Sequence, residues 1–319
     1  MSRVLVTGAA GFVGRQLCET LSGSGYAVRA ALRTGVDIPR HALEHVVVGD
    51  IDRRTDWGAA LDQVQLVVHC AARAHVMGDV KGESDRYMET NAYGTEQLAS
   101  ASVAAGVRRF VYLSSVKVNG ERTTGRPFSR EDEPRPAGPY GASKWAGESR
   151  LAAVAAESTM EMAIVRSPLV YGPRVRANFL RLLTLVERRI PLPLASISNA
   201  RSLVSVWNLC DLIGRLLRDA IPENAVFMVS DGEDLSTPEL LRRMGTAMRR
   251  PARLLPVPAA ALRAAAAITG RREELERLCE SLTVDISATR GELAWSPPVS
   301  VDEALARTVR WYVSKGDAP

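Results

Sequence analysis

Cysteine is scarce in this chain, and long apolar runs are absent from it. Four cysteines among 319 residues show neither Cys-x-x-Cys nor His/Cys ligand spacing. This scatter argues against a disulfide framework and a metal site, and it favours reduced thiols in a cytoplasmic protein. No apolar stretch reaches the roughly 18 residues that a membrane-spanning helix needs, so we expect no membrane insertion. The alanine-rich stretch 259–269 is too short to span a bilayer and predicts a packed helix.

A strong excess of one charge is also missing. Lysine and arginine number 41 against 36 aspartates and glutamates, which leaves a net charge of +5, and no basic run exceeds three residues. The chain therefore lacks the basic footprint of a protein that binds nucleic acid. A modest positive charge does suit a polyanionic small molecule, because cationic clefts raise the local concentration of anions.

Short apolar strands alternate with helical segments over the first half of the chain. Their continuous apolar character predicts a parallel sheet covered on both faces, and hence an α/β fold with a doubly wound sheet. We assign residues 1–167 to this domain. The predicted strands are Val4–Val6, Val28–Leu32, Val46–Val48, Leu66–His69, Phe110–Leu113 and Met162–Val165, and the predicted helices are Phe12–Leu21, Thr55–Leu61, Ser84–Ala105 and Tyr140–Ala156.

The pattern changes after residue 167, where prolines at positions 168, 173, 191 and 193 interrupt the alternation. We expect residues 168–319 to form mostly a smaller substrate-binding lobe, interleaved with the first domain, with some elements returning to it. The predicted elements are helices Ala177–Arg188, Leu209–Ala220, Thr237–Arg249 and Val301–Tyr312, with a strand at Ala225–Val229.

A glycine-rich turn joins the first strand to the first helix. Gly8 permits a tight turn, Gly11 lets the backbone approach a pyrophosphate, and Gly14 lets the helix pack closely on the sheet. The helix N-terminus, with Phe12 and Val13 in its first turn, supplies N–H groups for an anion. This placement between strand and helix is the context that supports a dinucleotide-binding turn of the Rossmann type, although a purely structural turn is the alternative.

The residue after the second strand bears on the choice of cofactor. Folds that bind NAD usually place an acid there for the ribose 2′-hydroxyl, whereas this chain has Arg33, which can pair with a 2′-phosphate. The sequence therefore favours NADP(H), while nearby Asp37 keeps NAD(H) open. Asp50 and Ile51 follow the third strand and are placed for the adenine edge.

Two further segments complete the predicted cofactor and catalytic site. The small residues Ala71 and Ala72 follow the fourth strand and would let the backbone lie against the cofactor. Tyr140 and Lys144 lie one helical turn apart, and an ammonium near a tyrosine is expected to lower the pKa of its phenol towards neutral pH. We therefore predict that Tyr140 is an acid/base for hydride transfer and that Lys144 also holds the nicotinamide ribose.

Two serines end the strand before this helix. We assign Ser115 to the substrate hydroxyl or carbonyl, and Ser114 to a structural or cofactor contact. A strand-end cap is the alternative for either serine.

These motifs resemble the extended short-chain dehydrogenase/reductases, the NAD(P)-dependent epimerases and dehydratases that act on nucleotide sugars. The resemblance covers nearly the whole chain and predicts an enzyme. It is carried by the glycine turn at 7–14, Asn91-x-x-Gly94-Thr95, Ser115, Tyr140/Lys144, the run 166–173, the run 201–206 and the run 293–297.

The resemblance implies further roles and a partner. Asn91 would be a helix residue tied to the active-site strand, and Pro168 would lie near the nicotinamide. Asn178 and Arg201 would contact the nucleotide diphosphate, with a helix cap as the alternative for Asn178. The helices near 84–105 and 140–156 would pair across a two-fold axis to form a homodimer.

The chain departs from the family pattern at three places. Lys117 stands where members that catalyse 4,6-dehydration have an acid. The sequence therefore argues against dehydration. Leu169 replaces a common asparagine, and the usual His-Val-Asp-Asp segment is Ser205-Val-Trp-Asn208. These changes put substrate contacts in doubt and leave the fold unaffected.

Two reactions compete. The favoured one reduces a UDP-4-keto-6-deoxy-N-acetylhexosamine with Tyr140 as proton donor, as in a bacterial polysaccharide branch of the family that residues 72–77 and 114–121 resemble. The alternative is a UDP-hexose 4-epimerase with tightly bound NAD. A non-catalytic NADP-sensing regulator is a distant third. Lys117, Arg73 and His75 could reach an acetamido or phosphate group, or could be surface residues.

Overall fold

The computed structural model describes residues 1–74, 82–222, 225–268 and 272–316. A seven-stranded parallel sheet in the order β3-β2-β1-β4-β5-β6-β9 forms its centre. These strands are β1 (Arg3–Thr7), β2 (Ala27–Leu32), β3 (Glu44–Val47), β4 (Leu66–His69), β5 (Arg109–Ser115), β6 (Glu161–Ser167) and β9 (Ala225–Met228). Strand order reverses next to β1, so the predicted α/β fold with a doubly wound parallel sheet is confirmed.

Helices cover both faces of this sheet, and this explains why its strands are apolar on both sides. The helices in the described residues are α1 (Phe12–Gly23), α2 (Gly58–Leu61), α3 (Glu83–Met88), α4 (Gly94–Ala104), α5 (Pro139–Ala156), α6 (Ala177–Glu187), α7 (Val206–Arg218), α8 (Thr237–Ala247), α9 (Ala259–Ile268), α10 (Arg272–Cys279), α11 (Ser287–Leu293) and α12 (Val301–Gly316). One face of the sheet carries α1 and α7, and the other carries α2, α4 and α5.

A second, three-stranded sheet lies in the C-terminal part of the chain. Its order is β10-β8-β7, formed by β7 (Leu169–Tyr171), β8 (Arg201–Ser205) and β10 (Asp234–Leu235). Together with α6, α8 and α12 these strands enclose a separate apolar core. Strand β9 and helix α7 instead pack in the first sheet's layers, which is an interleaving of the kind expected. The boundary at residue 167 stays a prediction.

Several predicted elements differ from the observed ones. The helix predicted at Thr55–Leu61 is only one turn, α2, because the Asp56 side chain accepts a hydrogen bond from the Gly58 amide and delays its start. The helix predicted at 84–105 is interrupted by a π-helical turn at Glu89–Tyr93. The short strands β7, β8 and β10 were not predicted, because their pairing partners are distant in sequence.

The described part of the chain contains no helix that is both long enough and apolar enough to cross a membrane. The alanine-rich helix α9 accounts for residues 259–268 of the predicted packed helix, and Thr269 lies outside the described residues.

Candidate active site

The glycine turn after β1 has the shape that a dinucleotide cradle requires. Gly8 has φ +65°, and a Cβ there would lie 2.8 Å from the amide nitrogen of Ala71. A Cβ on Gly14 would overlap the Gly8 carbonyl oxygen and lie 2.7 Å from the Cα of Ala9. Gly11 precedes α1, and its amide donates to the Gly8 carbonyl at 2.8 Å. Glycine at positions 8 and 14 is therefore required by the close approach of the turn to the Ala71 backbone and of α1 to the turn, a packing that fits an NAD(P) cradle.

The first turn of α1 is open to an anion. Gly11 has no side chain to cap the helix, and the first turn carries no acidic residue. Phe12 and Val13 are half-buried and pack against the core beneath the turn. Phe12 and Val13 thus lie in the first turn of α1, and their contact with the cofactor stays a prediction.

An ion pair occupies the end of the cradle where the adenosine was predicted. The Arg33 Nε lies 2.6 Å from the Asp50 Oδ1, and both side chains are more than two-thirds exposed. Arg15 pairs with Asp37 at 2.7 Å. The Arg33 guanidinium that was expected to meet a 2′-phosphate is thus already engaged by a carboxylate. Ile51 lies beside Gly94, whose missing side chain leaves room for it.

A hydrogen-bonded chain fixes the loop that carries Ala71. The Ala71 amide donates to the Thr7 Oγ1 at 3.2 Å, and the His69 imidazole bridges the hydroxyls of Thr7 and Thr95 at 2.6 and 3.1 Å. The Thr95 hydroxyl donates to the Asn91 carbonyl at 2.8 Å. Thr95 must therefore accept from His69 Nε2–H, which leaves Nδ1 to accept from Thr7. Burial lowers the pKa of His69 to about 3, which keeps the ring neutral.

Asn91 joins this loop to the catalytic helix. Its side-chain amide exchanges two hydrogen bonds with the backbone of Arg73, at 2.8 and 3.0 Å, and also donates to the Ser143 Oγ at 3.0 Å. Asn91 lies in the π-helical turn, and its carbonyl also accepts from the Tyr112 hydroxyl at 3.1 Å. A π turn frees carbonyls that an α-helix would use, and such turns frequently occur at functional sites. Ser143 was not identified from the sequence.

The predicted catalytic residues come together at the carboxyl end of β5. Helix α5 presents Tyr140 and Lys144, and Ser115 ends β5 with its hydroxyl near enough to the Tyr140 phenol to favour the ionised form. The Lys144 ammonium donates to the Leu113 carbonyl at 2.7 Å and lies 3.9 Å from the centre of the Tyr112 ring. Lys144 is only 1% exposed. A tyrosine, a lysine and a serine hydroxyl so arranged can move a proton at one substrate oxygen.

The protonation of this group differs from the expectation. Burial raises the pKa of Tyr140 to about 12, opposed by the nearby Ser115 hydroxyl, and burial lowers the pKa of Lys144 to about 7. Desolvation disfavours the charged form and is the largest influence on each group, so the net shift of the Tyr140 pKa is upward. The lowering of that pKa by Lys144 stays a prediction.

A buried ion pair behind the catalytic residues was missed. Arg166 binds the Glu148 carboxylate through Nε at 3.1 Å and Nη2 at 2.7 Å, and the two side chains are 3% and 1% exposed. The Ser114 hydroxyl donates to Glu148, so the assignment of Ser114 to a structural contact fits the geometry. The i, i+4 spacing of Lys144 and Glu148 is the sequence signal that could have revealed the carboxylate.

Three further predicted residues follow β6: Pro168, predicted for the cofactor, and Asn178 and Arg201, predicted for the substrate. Pro168 is buried between β6 and β7. Asn178 is exposed in the first turn of α6. Arg201 is half-buried at the start of β8, donates to the Glu280 carbonyl at 3.1 Å, and has a pKa lowered by burial. The diphosphate contacts of Asn178 and Arg201 stay predictions.

Two of the three basic residues that could reach an acetamido or phosphate group lie in the described part of the chain, and each of the two forms an ion pair. The Lys117 ammonium binds Glu121 at 2.9 Å, and Arg73 forms a two-bond pair with Glu83 at 2.8 and 3.0 Å. His75 lies outside the described residues. The ion pairs of Lys117 and Arg73 favour their interpretation as supporting residues.

Comparison with known proteins identifies relatives of the whole chain. Residues 4–229 match the model of the NAD dependent epimerase/dehydratase family. A UDP-glucose 4-epimerase of Vibrio cholerae is 43% identical over 97% of this chain and 95% of its own length. A dTDP-glucose 4,6-dehydratase of Streptomyces griseus is 30% identical over 98% of this chain and 94% of its own length.

Solved structures with the same fold also cover nearly the whole chain. MoeE5, solved with UDP-glucuronic acid and NAD, superposes with a TM-score of 0.79 at 26% identity, over 98% of this chain and all of its own. A UDP-glucose 4-epimerase of Thermotoga maritima, solved with UDP-glucose, has a TM-score of 0.78 at 23% identity, with 98% and 99% coverage. The second likeness shows the shared fold.

Proposed function

The chain belongs to the NAD dependent epimerase/dehydratase family, an enzyme family of the extended short-chain dehydrogenase/reductase type, and from this premise we propose that it is a UDP-hexose 4-epimerase. The observation that carries the proposal is the 43% identity, along nearly the whole chain, to a UDP-glucose 4-epimerase. This identity favours epimerisation over the reduction of a 4-keto sugar that the sequence alone favours.

The proposed chemistry uses the residues gathered at the end of β5. A dinucleotide held by the glycine turn and by Lys144 would supply reversible hydride transfer at C4, with removal and return of the hydride on opposite faces of the sugar. Tyr140 takes the proton of the C4 hydroxyl as the C4–H bond breaks. It returns that proton to the C4 oxygen when the C4–H bond forms again. Ser115 holds that oxygen by a hydrogen bond, and Lys144 supplies positive charge beside the phenol. No group is gained or lost overall, so only the configuration at C4 changes.

The proposed cofactor is NAD. Arg33 suggested NADP, but Asp50 lies 2.6 Å from it, and a 2′-phosphate would have to compete with that carboxylate for the guanidinium. MoeE5 was solved with NAD. An epimerase also gains from a cofactor that stays bound, because the same molecule must return the hydride.

Reduction of a 4-keto sugar remains the second candidate, favoured by Arg33 in place of the usual acid. Dehydration is not proposed, since Lys117 occupies the position of the acid that it requires. In either reaction, Arg201 and Asn178 are the proposed ligands of the UDP diphosphate. We further propose a cytoplasmic homodimer that pairs through the helices around α4 and α5.

Purified protein should first be denatured and its released nucleotide quantified by absorbance and chromatography, and intact protein should then be incubated with UDP-glucose and UDP-galactose. Near-stoichiometric NAD and interconversion of the two sugars would support the epimerase. Protein that releases no nucleotide, prefers NADPH and leaves both sugars unchanged would contradict it. That protein should then reduce the product of a UDP-N-acetylglucosamine 4,6-dehydratase.

A further inference from the structure

A fully buried ion pair lies directly behind the catalytic residues. Glu148 belongs to α5 and Arg166 to β6, and Arg166 donates to both carboxylate oxygens of Glu148 at 2.7–3.2 Å. The side chains are 1% and 3% exposed. A buried pair often contributes less to stability than well-packed apolar residues would, because both ions lose their hydration. Stability alone is therefore a weak reason for charges at this position.

The pair contacts the segments that present the catalytic groups. Ser114, next to Ser115, donates its hydroxyl to Glu148. Arg166 donates through Nη1 to the Asn119 Oδ1 at 3.2 Å, and Asn119 ends the short 3₁₀ turn that follows Ser115. The ion pair thus connects the end of β5, the catalytic helix and the end of β6.

Glu148 also lies one turn after Lys144 on the same face of α5. Residues at i and i+4 on a helix are neighbours, so the carboxylate faces the region of the ammonium. Apart from Tyr140, one turn earlier on the same helix, the other titratable groups that act on or contact Lys144 come from the neighbouring strands. They are His69 and Cys70 at the end of β4, Tyr112 on β5 and, through Glu148, Arg166 on β6.

We propose that Glu148, paired with Arg166, is a positioning residue that holds Lys144 in its ammonium form and fixes the end of β5 through Ser114. Glu148 is the carboxylate among these neighbours, and it is close enough to offset part of the cost of burying the lysine charge. This inference rests on the Tyr140/Lys144 chemistry of the proposed function, and it does not depend on which nucleotide sugar is bound.

The charge of Glu148 determines in which direction the pKa of Lys144 should change when the carboxylate is removed. Burial lowers the pKa of Lys144 to about 7, and the charge of Glu148 opposes that lowering. Removal of the carboxylate should therefore lower the pKa further. The ammonium would then be lost at a lower pH, and activity that needs it would decline at a lower pH.

The small number of lysines makes a direct measurement feasible. The chain contains four, Lys81, Lys117, Lys144 and Lys315. Protein labelled with ¹³C at lysine Cε should show four resonances, and the signal of Lys144 is assigned by its loss in Lys144→Met. Each resonance is followed from pH 5 to pH 10 in the wild type, in Glu148→Gln and in Glu148→Asp.

A matched control lies at the opposite end of the same two strands. Arg109 begins β5 and pairs with Glu161 at the beginning of β6, at 2.6 Å. Glu161→Gln removes one partner of an ion pair between β5 and β6 without approaching Lys144. It should leave the Lys144 titration unchanged.

We expect Glu148→Gln to lower the Lys144 midpoint by about one to two pH units, and Glu148→Asp to restore most of it. The descending alkaline limb of kcat should move down by the same amount. A Lys144 midpoint that is the same in Glu148→Gln and wild type would overturn the proposal, as would an equal loss of kcat at every pH.

A second variant covers the case in which Glu148→Gln fails to fold because Arg166 is left without its partner. Glu148→Leu/Arg166→Met removes both charges, which buried sites often tolerate. A lowered Lys144 midpoint in it supports the proposal, and an unchanged midpoint overturns it. The NMR titration also separates the two proposals: wild type inactive on all UDP-hexoses contradicts the proposed function, while the titration still decides the role of Glu148.

Discussion

The half of the site that is predicted to bind the cofactor and the half that is predicted to bind the substrate are held in different ways. In the cofactor half, His69, Asn91 and Lys144 are at most 1% exposed, and buried hydrogen bonds determine the position of each. In the substrate half, Asn178 is exposed and Arg201 is half-buried at the start of a five-residue strand. The first half is therefore formed before any ligand arrives, whereas the second leaves more to the ligand.

This difference reflects two ways of binding. The dinucleotide is recognised largely by backbone, and glycines at a strand–helix turn specify backbone directly. A sugar nucleotide is recognised by side chains from several elements, and ordering them costs entropy when the ligand binds. Substitutions in the first half should therefore abolish most activity or cofactor binding, whereas substitutions in the second should reduce activity by smaller steps.

The largest effect is expected at Tyr140, because no other described hydroxyl combines its position with the neighbouring ammonium of Lys144. Tyr140→Phe should lower kcat by about 1,000-fold, within the range of general acid–base catalysis. The amount of bound nucleotide should stay at the wild-type level. A loss below tenfold would show that the preformed half does not supply the acid/base.

A substitution in the glycine cradle should have nearly as large an effect, but on the binding of the dinucleotide instead of on kcat. Gly14→Ala would force a Cβ against the Gly8 carbonyl and the Ala9 Cα, so the turn must shift. We expect the dissociation constant of the dinucleotide to rise about 100-fold, equivalent to ~2.7 kcal/mol. Calorimetry would measure it.

Gly23→Ala is the matched control for that substitution. Gly23 ends the same helix, and a Cβ there meets no atom within 4 Å. Its affinity should match wild type within twofold. Equal losses in the two variants would mean that the cradle does not depend on close packing at Gly14.

The buried His69 of the first half should make the free energy of unfolding depend on pH. The pKa of His69 is about 3 in the fold, against about 6.5 in an unfolded chain. As the pH falls below 6.5, the unfolded state binds a proton that the folded state does not, so stability falls. The loss due to this group should reach about 2 kcal/mol at pH 5.

Denaturant unfolding at several pH values would test this. His69→Asn should abolish that part of the slope, whatever its stability at neutral pH. His45→Asn, a change at an exposed histidine of the edge strand β3, should retain it. An identical slope in His69→Asn and wild type would contradict a neutral, buried imidazole.

The smallest effect is expected in the substrate half. Arg201→Met should raise KM for the UDP-sugar about tenfold, the loss of one charge-assisted contact, while kcat and bound nucleotide change little. Steady-state kinetics would measure it. Arg122→Met is the control, because Arg122 is a mostly exposed arginine that pairs with Glu280. A fall in kcat without a rise in KM would place Arg201 nearer the chemistry than we propose.

Much of the preformed half could be predicted from the sequence. The glycine turn, the apolar strands and the Tyr140/Lys144 pair depend on spacings of four residues or fewer, so local sterics and helical periodicity are sufficient. The favoured reaction could not be settled in this way, because an epimerase and a ketoreductase need the same side chains.

The sequence by itself therefore determined the sheet and the glycine turn, and it predicted the acid/base. Only the tertiary structure decided the neutral tautomer of His69, the π turn at Asn91, the Arg33–Asp50 pair and the Glu148–Arg166 pair. Their partners lie 17 to 62 residues apart along the chain and meet only across strands and helices. The pKa values of Tyr140 and Lys144 are also decided only by the tertiary structure, because burial depends on what the whole fold places around a group.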